Sequence, residues 1–195
     1  RKLSEAAAAR GKEIGYENVF DYSLGNPSVP VPEKFTEVMI ELLKTKNSME
    51  LHGYSPSLGI ASVKDKIARS LNKRFGMNYT GNHIFPTTGA AGALAHAIRC
   101  VTKPGDEVLT FAPYFPEYNF YVNMTGAKLK VVPADTRNFQ INFKHFEEML
   151  DEKTAAVLIN TPNNPSGAVY NRETLQKLAE LLLRKQEEFG HDIFL

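Results

Sequence analysis

Residues 155–167 read AAVLINTPNNPSG, an apolar run followed at once by a segment rich in Asn and Pro. The apolar run is typical of a buried strand, whereas Asn, Pro, Ser and Gly are the residues that turns favour. The polar segment at 160–167 therefore has two interpretations. It is an ordinary turn, or it is a binding loop, since open α/β folds bind ligands at the carboxyl edge of their sheet.

Apolar runs and stretches of helical spacing alternate along the rest of the chain. Strands are predicted at 107–111, 128–132 and 155–159, HIFPTTG (83–89) is expected to end a further short strand, and DIFL (192–195) is expected to begin one. Strands that alternate with helices favour a parallel sheet covered on both faces. The predicted fold class is therefore α/β, with a mostly parallel sheet flanked by helices.

The longest predicted helix spans residues 171–189. Its apolar residues recur at helical spacing and are expected to form one stripe, made of Leu175, Leu178, Ala179, Leu182 and Leu183. An earlier helix is expected to have Ser57 as its N-cap and to stop at Gly76, because Ser is favoured before a helix and Gly after one.

Composition limits the possible partners. The 23 Lys and Arg residues nearly balance the 22 Asp and Glu residues, so neither nucleic acid nor a membrane surface is expected as a partner bound through bulk charge. No apolar run approaches the ~20 residues that cross a bilayer. The five histidines lack the spacing of metal ligands, and no metal is assigned. The single cysteine, Cys100, excludes an intrachain disulfide and fits a reducing, cytoplasmic location.

A Gly-rich turn, TTGAAGALAH (87–96), follows the first predicted strand. It lacks the Lys-Ser/Thr end of a P-loop and does not read G-x-G-x-x-G. Small residues at a helix N-terminus, here Gly89, Ala90 and Ala91, expose unpaired backbone N–H groups to an anion. The alternative is that these small residues only allow the helix to pack closely on the sheet.

Two further strand ends carry candidate binding groups. FAPYFPEY (111–118) offers Tyr114, Phe115 and Tyr118, which either stack on a flat ligand or belong to the core. In the 160–167 segment, Asn163 and Asn164 each carry an amide, and the neighbouring prolines would hold it rigidly. An anion cradle, an aromatic face and a rigid amide together suit a planar, phosphorylated, heteroaromatic cofactor.

The polar segment NTPNNPSG resembles the N-x-P-x-N-P-[ST]-G motif of the class I/II aminotransferases, fold type I pyridoxal-phosphate enzymes related to aspartate aminotransferase. Four other segments resemble motifs of that family in the same order: DYSLGNPSVPVP, GYSPSLGIASVKDKIA, TTGAAGAL and PGDEVL…PYFPEY. The resemblance implies a large-domain fold that is incomplete at the C-terminus, with residues 1–45 forming an arm and part of the small domain. Residues 46–195 would then be the N-terminal part of the large domain.

The resemblance also implies roles for individual residues. Gly89, Ala90 and Ala91 would hold the phosphate of pyridoxal 5′-phosphate, although some relatives have Lys, Ser or Thr where this chain has its two alanines. Phe115 would stack on the pyridine ring, and Asn164 would hydrogen-bond the 3′-oxygen. The remaining two expectations are that Gly25 contacts the substrate carboxylate through its backbone and that Tyr54 reaches the phosphate of a neighbouring subunit.

The expected activity is transfer of an amino group between an amino acid and a 2-oxo acid, in a homodimer with shared active sites. The Schiff-base lysine of the family is expected beyond Leu195, so no catalytic residue is assigned and residues 1–195 alone are expected to be inactive. A lyase or synthase of the same fold, and a non-catalytic effector-binding domain of a transcription regulator, remain alternatives.

Two cis peptide bonds are also expected. A cis bond before Pro165 would reverse the chain sharply and direct the amide of Asn164. The family resemblance implies a cis bond there too, and a second one before Pro113, where Phe115 has to be aimed.

Overall fold

The computed structural model describes residues 2–22, 25 and 29–195. The chain divides into two compact units, Arg1–Ser57 and Leu58–Leu195. The described part of the first unit is helical, with α1 (Lys2–Ile14), a 3₁₀ turn (Tyr16–Asn18), α2 (Glu33–Thr45) and α3 (Ser48–His52). The assignment of residues 1–45 and 46–195 to domains of a longer protein stays a prediction.

The second unit alternates helices with strands. Its elements are α4 (Ala61–Phe75), a 3₁₀ turn (Gly81–His83), α5 (Gly89–Val101), β1 (Glu107–Phe111), α6 (Tyr118–Asn123), β2 (Lys128–Val132), α7 (Phe143–Met149), β3 (Thr154–Leu158) and α8 (Arg172–Phe189). The predictions for β1 and β2 are confirmed to the residue, and β3 is shifted by one position from the predicted 155–159. The last predicted strand is reduced to a single parallel bridge between Ala156 and Phe194.

The three strands form one parallel sheet in the order β2–β1–β3. Val108 of β1 pairs with Leu129 on one side and Ala156 on the other. The chain thus leaves β1 for one neighbour and then crosses to the other side, which creates a switch point between the carboxyl ends of β1 and β3. Ligand crevices in open α/β sheets form at such points.

Side chains of β1 alternate between two buried layers, as the period of a strand requires. Leu109 and Phe111 point into a core shared with α7 and α8, whereas Val108 points into a second core shared with α5 and α6. Because both faces of the central strand are covered by helices, the predicted α/β layering is confirmed. This layering leaves the ends of the strands uncovered by helices.

Helix α8 starts where the sequence predicted, because the Asn171 side chain accepts a hydrogen bond from the Thr174 N–H at 2.7 Å and caps its first turn. The predicted apolar stripe was partly wrong. Leu178 and Leu182 are buried, but Leu183 is 60% exposed, Ala179 is exposed as well, and Leu181 is buried instead. At 100° per residue, Leu183 is turned well away from Leu178, whereas Leu181 and Leu182 flank the direction that Leu178 faces.

Two other local predictions were wrong. Helix α4 begins at Ala61, and Ile60 rather than Ser57 occupies its cap position, without a side-chain hydrogen bond. The segment 83–89 is not a strand. Its backbone is extended at Ile84, but it lacks a ladder partner among the described residues, and an extended segment without a partner does not form a sheet.

A charged cluster joins the beginning of β1 to β2 and to the turn before β3. Lys130 Nζ lies 2.7 Å from Glu107 Oε2 and 3.0 Å from Asp151 Oδ2, and it donates to the Met149 carbonyl at 2.7 Å. Burial lowers the pKa of Lys130, but contact with the two carboxylates outweighs burial and raises it. The cluster lies near the amino ends of β1 and β3, away from the switch point. Within the described part of the chain, none of the helices is both long and apolar enough to cross a membrane.

Candidate functional site

Three segments of the second unit surround a cavity of about 630 Å³ at the carboxyl edge of the sheet. They are the start of α5, the loop after β1 together with the first residues of α6, and the end of β3 with the loop that follows it. The volume lies within the range of about 300–1,000 Å³ that is typical of small-molecule sites. The residues that line it are Ala90, Ala91, Ala93, Leu94, Phe115, Tyr118, Tyr121, Leu158, Ile159, Asn160 and Asn164.

The first wall of the cavity is the N-terminus of α5. Gly89 opens the helix with φ +72°, a left-handed conformation that favours glycine, and the cap residue Thr88 makes no side-chain hydrogen bond to the first turn. The Gly89 N–H donates to the Thr87 carbonyl at 3.0 Å, whereas the N–H groups of Ala90 and Ala91 lack a hydrogen-bond partner among the described residues. Because Ala90 and Ala91 carry only methyl groups, an anion can approach these donors and the positive end of the helix dipole.

The second wall is a cluster of aromatic rings. Phe115 packs edge-on against Tyr118 with ring centroids 5.8 Å apart, and Tyr114 stacks on Tyr118 at 6.3 Å. Asn119 Nδ2 donates to the Tyr114 hydroxyl at 2.9 Å and holds the outer ring. Tyr118 is buried, and burial, followed by the nearby Tyr121 hydroxyl, raises its pKa. Phe115 is only half-buried, so part of its side chain is left for a ligand.

The third wall is the loop after β3, where the two adjacent asparagines differ. Asn163 Nδ2 donates to the Pro113 carbonyl at 2.9 Å and to Ser166 Oγ at 2.8 Å. The Asn164 side chain, by contrast, makes no hydrogen bond to any residue that the structure describes, and it lines the cavity. Its backbone N–H is held by Asn160 Oδ1 at 2.7 Å. The loop thus presents an exposed, uncommitted amide on a fixed backbone.

The comparison that decides the family is with a family model described as "Aminotransferase class I and II", which matches residues 17–186. The chain belongs to this family. Aminotransferases of class I and II depend on pyridoxal 5′-phosphate, a planar ring that carries a phosphate and a phenolic oxygen. The three walls fit those groups, because an anion cradle, an aromatic ring and a free amide face one cavity of suitable size.

Individual aminotransferases share both sequence and fold with this chain. The solved structure of an amino transferase from Eubacterium rectale is 44% identical with a TM-score of 0.94, over 100% of this chain and 49% of that one. The solved aspartate aminotransferase of Thermotoga maritima is 32% identical with a TM-score of 0.82, over 98% and 49%. A curated aspartate aminotransferase of Thermotoga maritima is 34% identical over 95% of this chain and 51% of its own length. The chain therefore spans about half the length of the relatives it matches.

The predicted site residues of the chain fall into two groups. One cavity is lined by Ala90, Ala91, Phe115 and Asn164. Gly89 directly precedes Ala90 at the start of α5. Gly25 and Tyr54 belong to the first unit. Among the described residues, no atom lies within 4 Å of a Cβ placed at Gly25, and Tyr54 is fully exposed. The roles expected of these two residues stay predictions.

Three X–Pro bonds at the site are cis. The bonds Asn164–Pro165 and Ala112–Pro113 were predicted to be cis, and both predictions are confirmed. A third cis bond, Thr161–Pro162, was not predicted.

Sequence reasoning missed two polar groups at the cavity, Asn160 and Tyr121. Asn160 stands in the same motif as Asn164, and the position of an asparagine directly after a strand was a usable signal. Tyr121 lies one turn after Tyr118 on α6, so its approach to the cavity follows from the helical spacing once α6 is located. Asn160 adds a second amide beside that of Asn164, and Tyr121 adds a second hydroxyl beside that of Tyr118.

Proposed function

We propose that the full-length protein is a pyridoxal-phosphate-dependent aminotransferase that moves an amino group between an amino acid and a 2-oxo acid. The observation that carries this proposal is the convergence of Ala91, Phe115 and Asn164 on one cavity in a chain of the aminotransferase family. Bound pyridoxal phosphate supplies an electron sink for bonds broken at the α-carbon of the substrate. The residues of this chain bind and orient that group.

Each wall of the cavity has one task in this proposal. Backbone N–H groups at Ala90 and Ala91 bind the phosphate, with the dipole of α5 favouring its negative charge. Gly89, whose own N–H donates to the Thr87 carbonyl at 3.0 Å, shapes the turn that presents them. The Phe115 ring packs on the face of the pyridine ring. The Asn164 amide donates to the 3′-oxygen, a use for a side chain that has no partner among the described residues.

Further features of the proposal come from the family resemblance. Gly25 binds the substrate carboxylate through its backbone, and Tyr54 reaches the phosphate of a second subunit in a cytoplasmic homodimer. Both residues lie on the smaller unit of this chain. In the whole enzyme, residues 1–45 are expected to form the arm and part of the small domain. Residues 46–195 are expected to form the N-terminal part of the large domain.

The test is a titration of purified full-length protein with pyridoxal phosphate, followed by an assay of amino transfer. Aspartate with a 2-oxo acid acceptor is the first pair to assay, since the curated Thermotoga maritima relative is named an aspartate aminotransferase. The expected result is cofactor binding and formation of the new amino acid. Release of ammonia or an elimination product without amino transfer would identify a lyase instead, and binding without turnover of any amino acid would identify an effector-binding domain.

A further inference from the structure

Asn163 joins the two loops that carry the ligand-facing side chains of the proposed site. Its Nδ2 donates to the Pro113 carbonyl, 50 positions away along the chain, at 2.9 Å. Pro113 lies two residues before Phe115, and Asn163 lies directly before Asn164. This hydrogen bond therefore connects the loop that carries the aromatic wall to the loop that carries the free amide.

The surroundings of Asn163 make it a rigid connector. Its second amide hydrogen is taken by Ser166 Oγ at 2.8 Å, its backbone N–H donates to the Ala168 carbonyl at 2.9 Å, and its carbonyl accepts from the Gly167 N–H at 2.7 Å. Because the Pro113 carbonyl only accepts hydrogen bonds, the nitrogen of the amide has to face it. A carboxylate in the same place would bring two acceptors together.

Building on the proposed function, we propose that Asn163 is a positioning residue that sets the gap between Phe115 and Asn164 and thereby the affinity and orientation of the cofactor. The cofactor ring has to stack on Phe115 and, in the same position, accept a hydrogen bond from Asn164 at an oxygen in the ring plane. The spacing of the two loops decides whether both are. Asn163 occupies a variable position of the N-x-P-x-N-P-[ST]-G pattern, so the inference rests on its contacts in this structure.

The first experiment measures pyridoxal-phosphate affinity and the circular dichroism of the bound cofactor in full-length variants. Asn163→Ala is expected to weaken affinity about tenfold, as for the loss of a hydrogen bond of ordinary strength, and to change the dichroism band. Asn163→Asp is expected to be at least as damaging, because its carboxylate faces the Pro113 carbonyl. Unchanged affinity and dichroism in both variants would overturn the inference.

A double-mutant cycle separates positioning from general stability. If Asn163 acts by placing Phe115, the Asn163→Ala change costs less than about threefold in affinity once Phe115→Ala is present, since the two effects are then coupled. Additive losses would contradict a positioning role. Asn72→Ala is the matched control, because Asn72 also bridges a loop with two hydrogen bonds to Tyr79, at 2.8 and 2.7 Å, and does not line the cavity. Its cofactor affinity is expected to stay within about twofold of wild type.

Hydrogen exchange in cofactor-free protein keeps this inference separate from the proposed function. Asn163→Ala is expected to raise exchange in 112–117 and 160–167 together, because one bond holds both loops. If wild-type protein failed to bind pyridoxal phosphate, the proposed function would fall while this exchange experiment still decided whether Asn163 couples the loops. If the cofactor bound and exchange rose in only one loop, the inference would fall and the function would stand.

Discussion

Phe115 is the single side chain whose removal tests the aromatic wall most directly. It packs against Tyr118 and lines the cavity without being fully buried. Phe115→Ala in the full-length protein is expected to weaken pyridoxal-phosphate binding by ~1 kcal/mol or more, because a stacked ring partner is lost. The measurement is a cofactor titration at constant pH.

Phe120→Ala is the matched control for Phe115→Ala. Phe120 is a neighbour in sequence on α6, but its side chain is 68% exposed and it does not line the cavity. Its removal is expected to leave cofactor affinity unchanged. Equal losses in the two variants would mean that Phe115 acts through the fold of the 111–123 region rather than by stacking.

Helix α8 provides a testable prediction, because it carries one buried leucine and one exposed leucine. Leu178 is 0% exposed within the larger core, whereas Leu183 is 60% exposed. Leu178→Ala is expected to lower the free energy of unfolding by about 2–5 kcal/mol, and Leu183→Ala to change it by less than about 0.5 kcal/mol. Chemical denaturation of the two variants measures the difference. A similar cost at both positions would contradict the orientation of α8.

The cluster of Lys130, Glu107 and Asp151 predicts how the sheet responds to acid. Burial raises the pKa of the Asp151 carboxyl, but hydrogen bonds from Lys130 and the Lys153 N–H outweigh burial and lower it. A lowered pKa stabilises the fold above the unfolded value of about 3.9, and this contribution is lost as the pH falls through the folded pKa. Removing the lysine should therefore matter more at neutral pH than in acid.

Lys130→Met is the variant that tests this dependence. At pH 7 it leaves two carboxylates without their cation and is expected to destabilise the protein by about 1–2 kcal/mol, a value reduced by the partial exposure of Asp151. In acid, as the pH falls below about 3.9 and through the lowered pKa of Asp151, the difference from wild type should shrink, because Asp151 becomes protonated. Melting temperatures at the two pH values give the comparison, and a difference independent of pH would exclude the cluster as its source.

The length of the chain relative to its relatives, rather than any single residue, limits the expected activity. Residues 1–195 cover about half the length of their curated relatives and provide the proposed cradle without an assigned catalytic lysine. A protein made only of these residues is therefore expected to show no amino transfer, whereas the full-length protein is expected to be active. Turnover by the 195-residue chain, measured against a blank without protein, would refute this assignment.

Most of the layering of the fold could be predicted from local patterns. Strands β1 and β2 were located to the residue because apolar runs between turn signals are a property of the adjacent sequence. The carboxyl edge could be predicted as well, since parallel strands bring their ends together. The 83–89 segment failed because strand formation requires a partner, and a partner is not visible in the segment itself.

Local patterns and the order of the motifs were enough to identify this chain as a parallel α/β protein of the class I and II aminotransferase family, with Phe115 and Asn164 after strand ends. The folded chain was needed to show which residues line one cavity and which hold the loops around it. It separated Asn163, which ties two loops together, from Asn164, whose amide is free of partners among the described residues. The physical reason is range: turn and strand preferences act over a few neighbouring residues, whereas the Asn163–Pro113 hydrogen bond joins positions 50 residues apart.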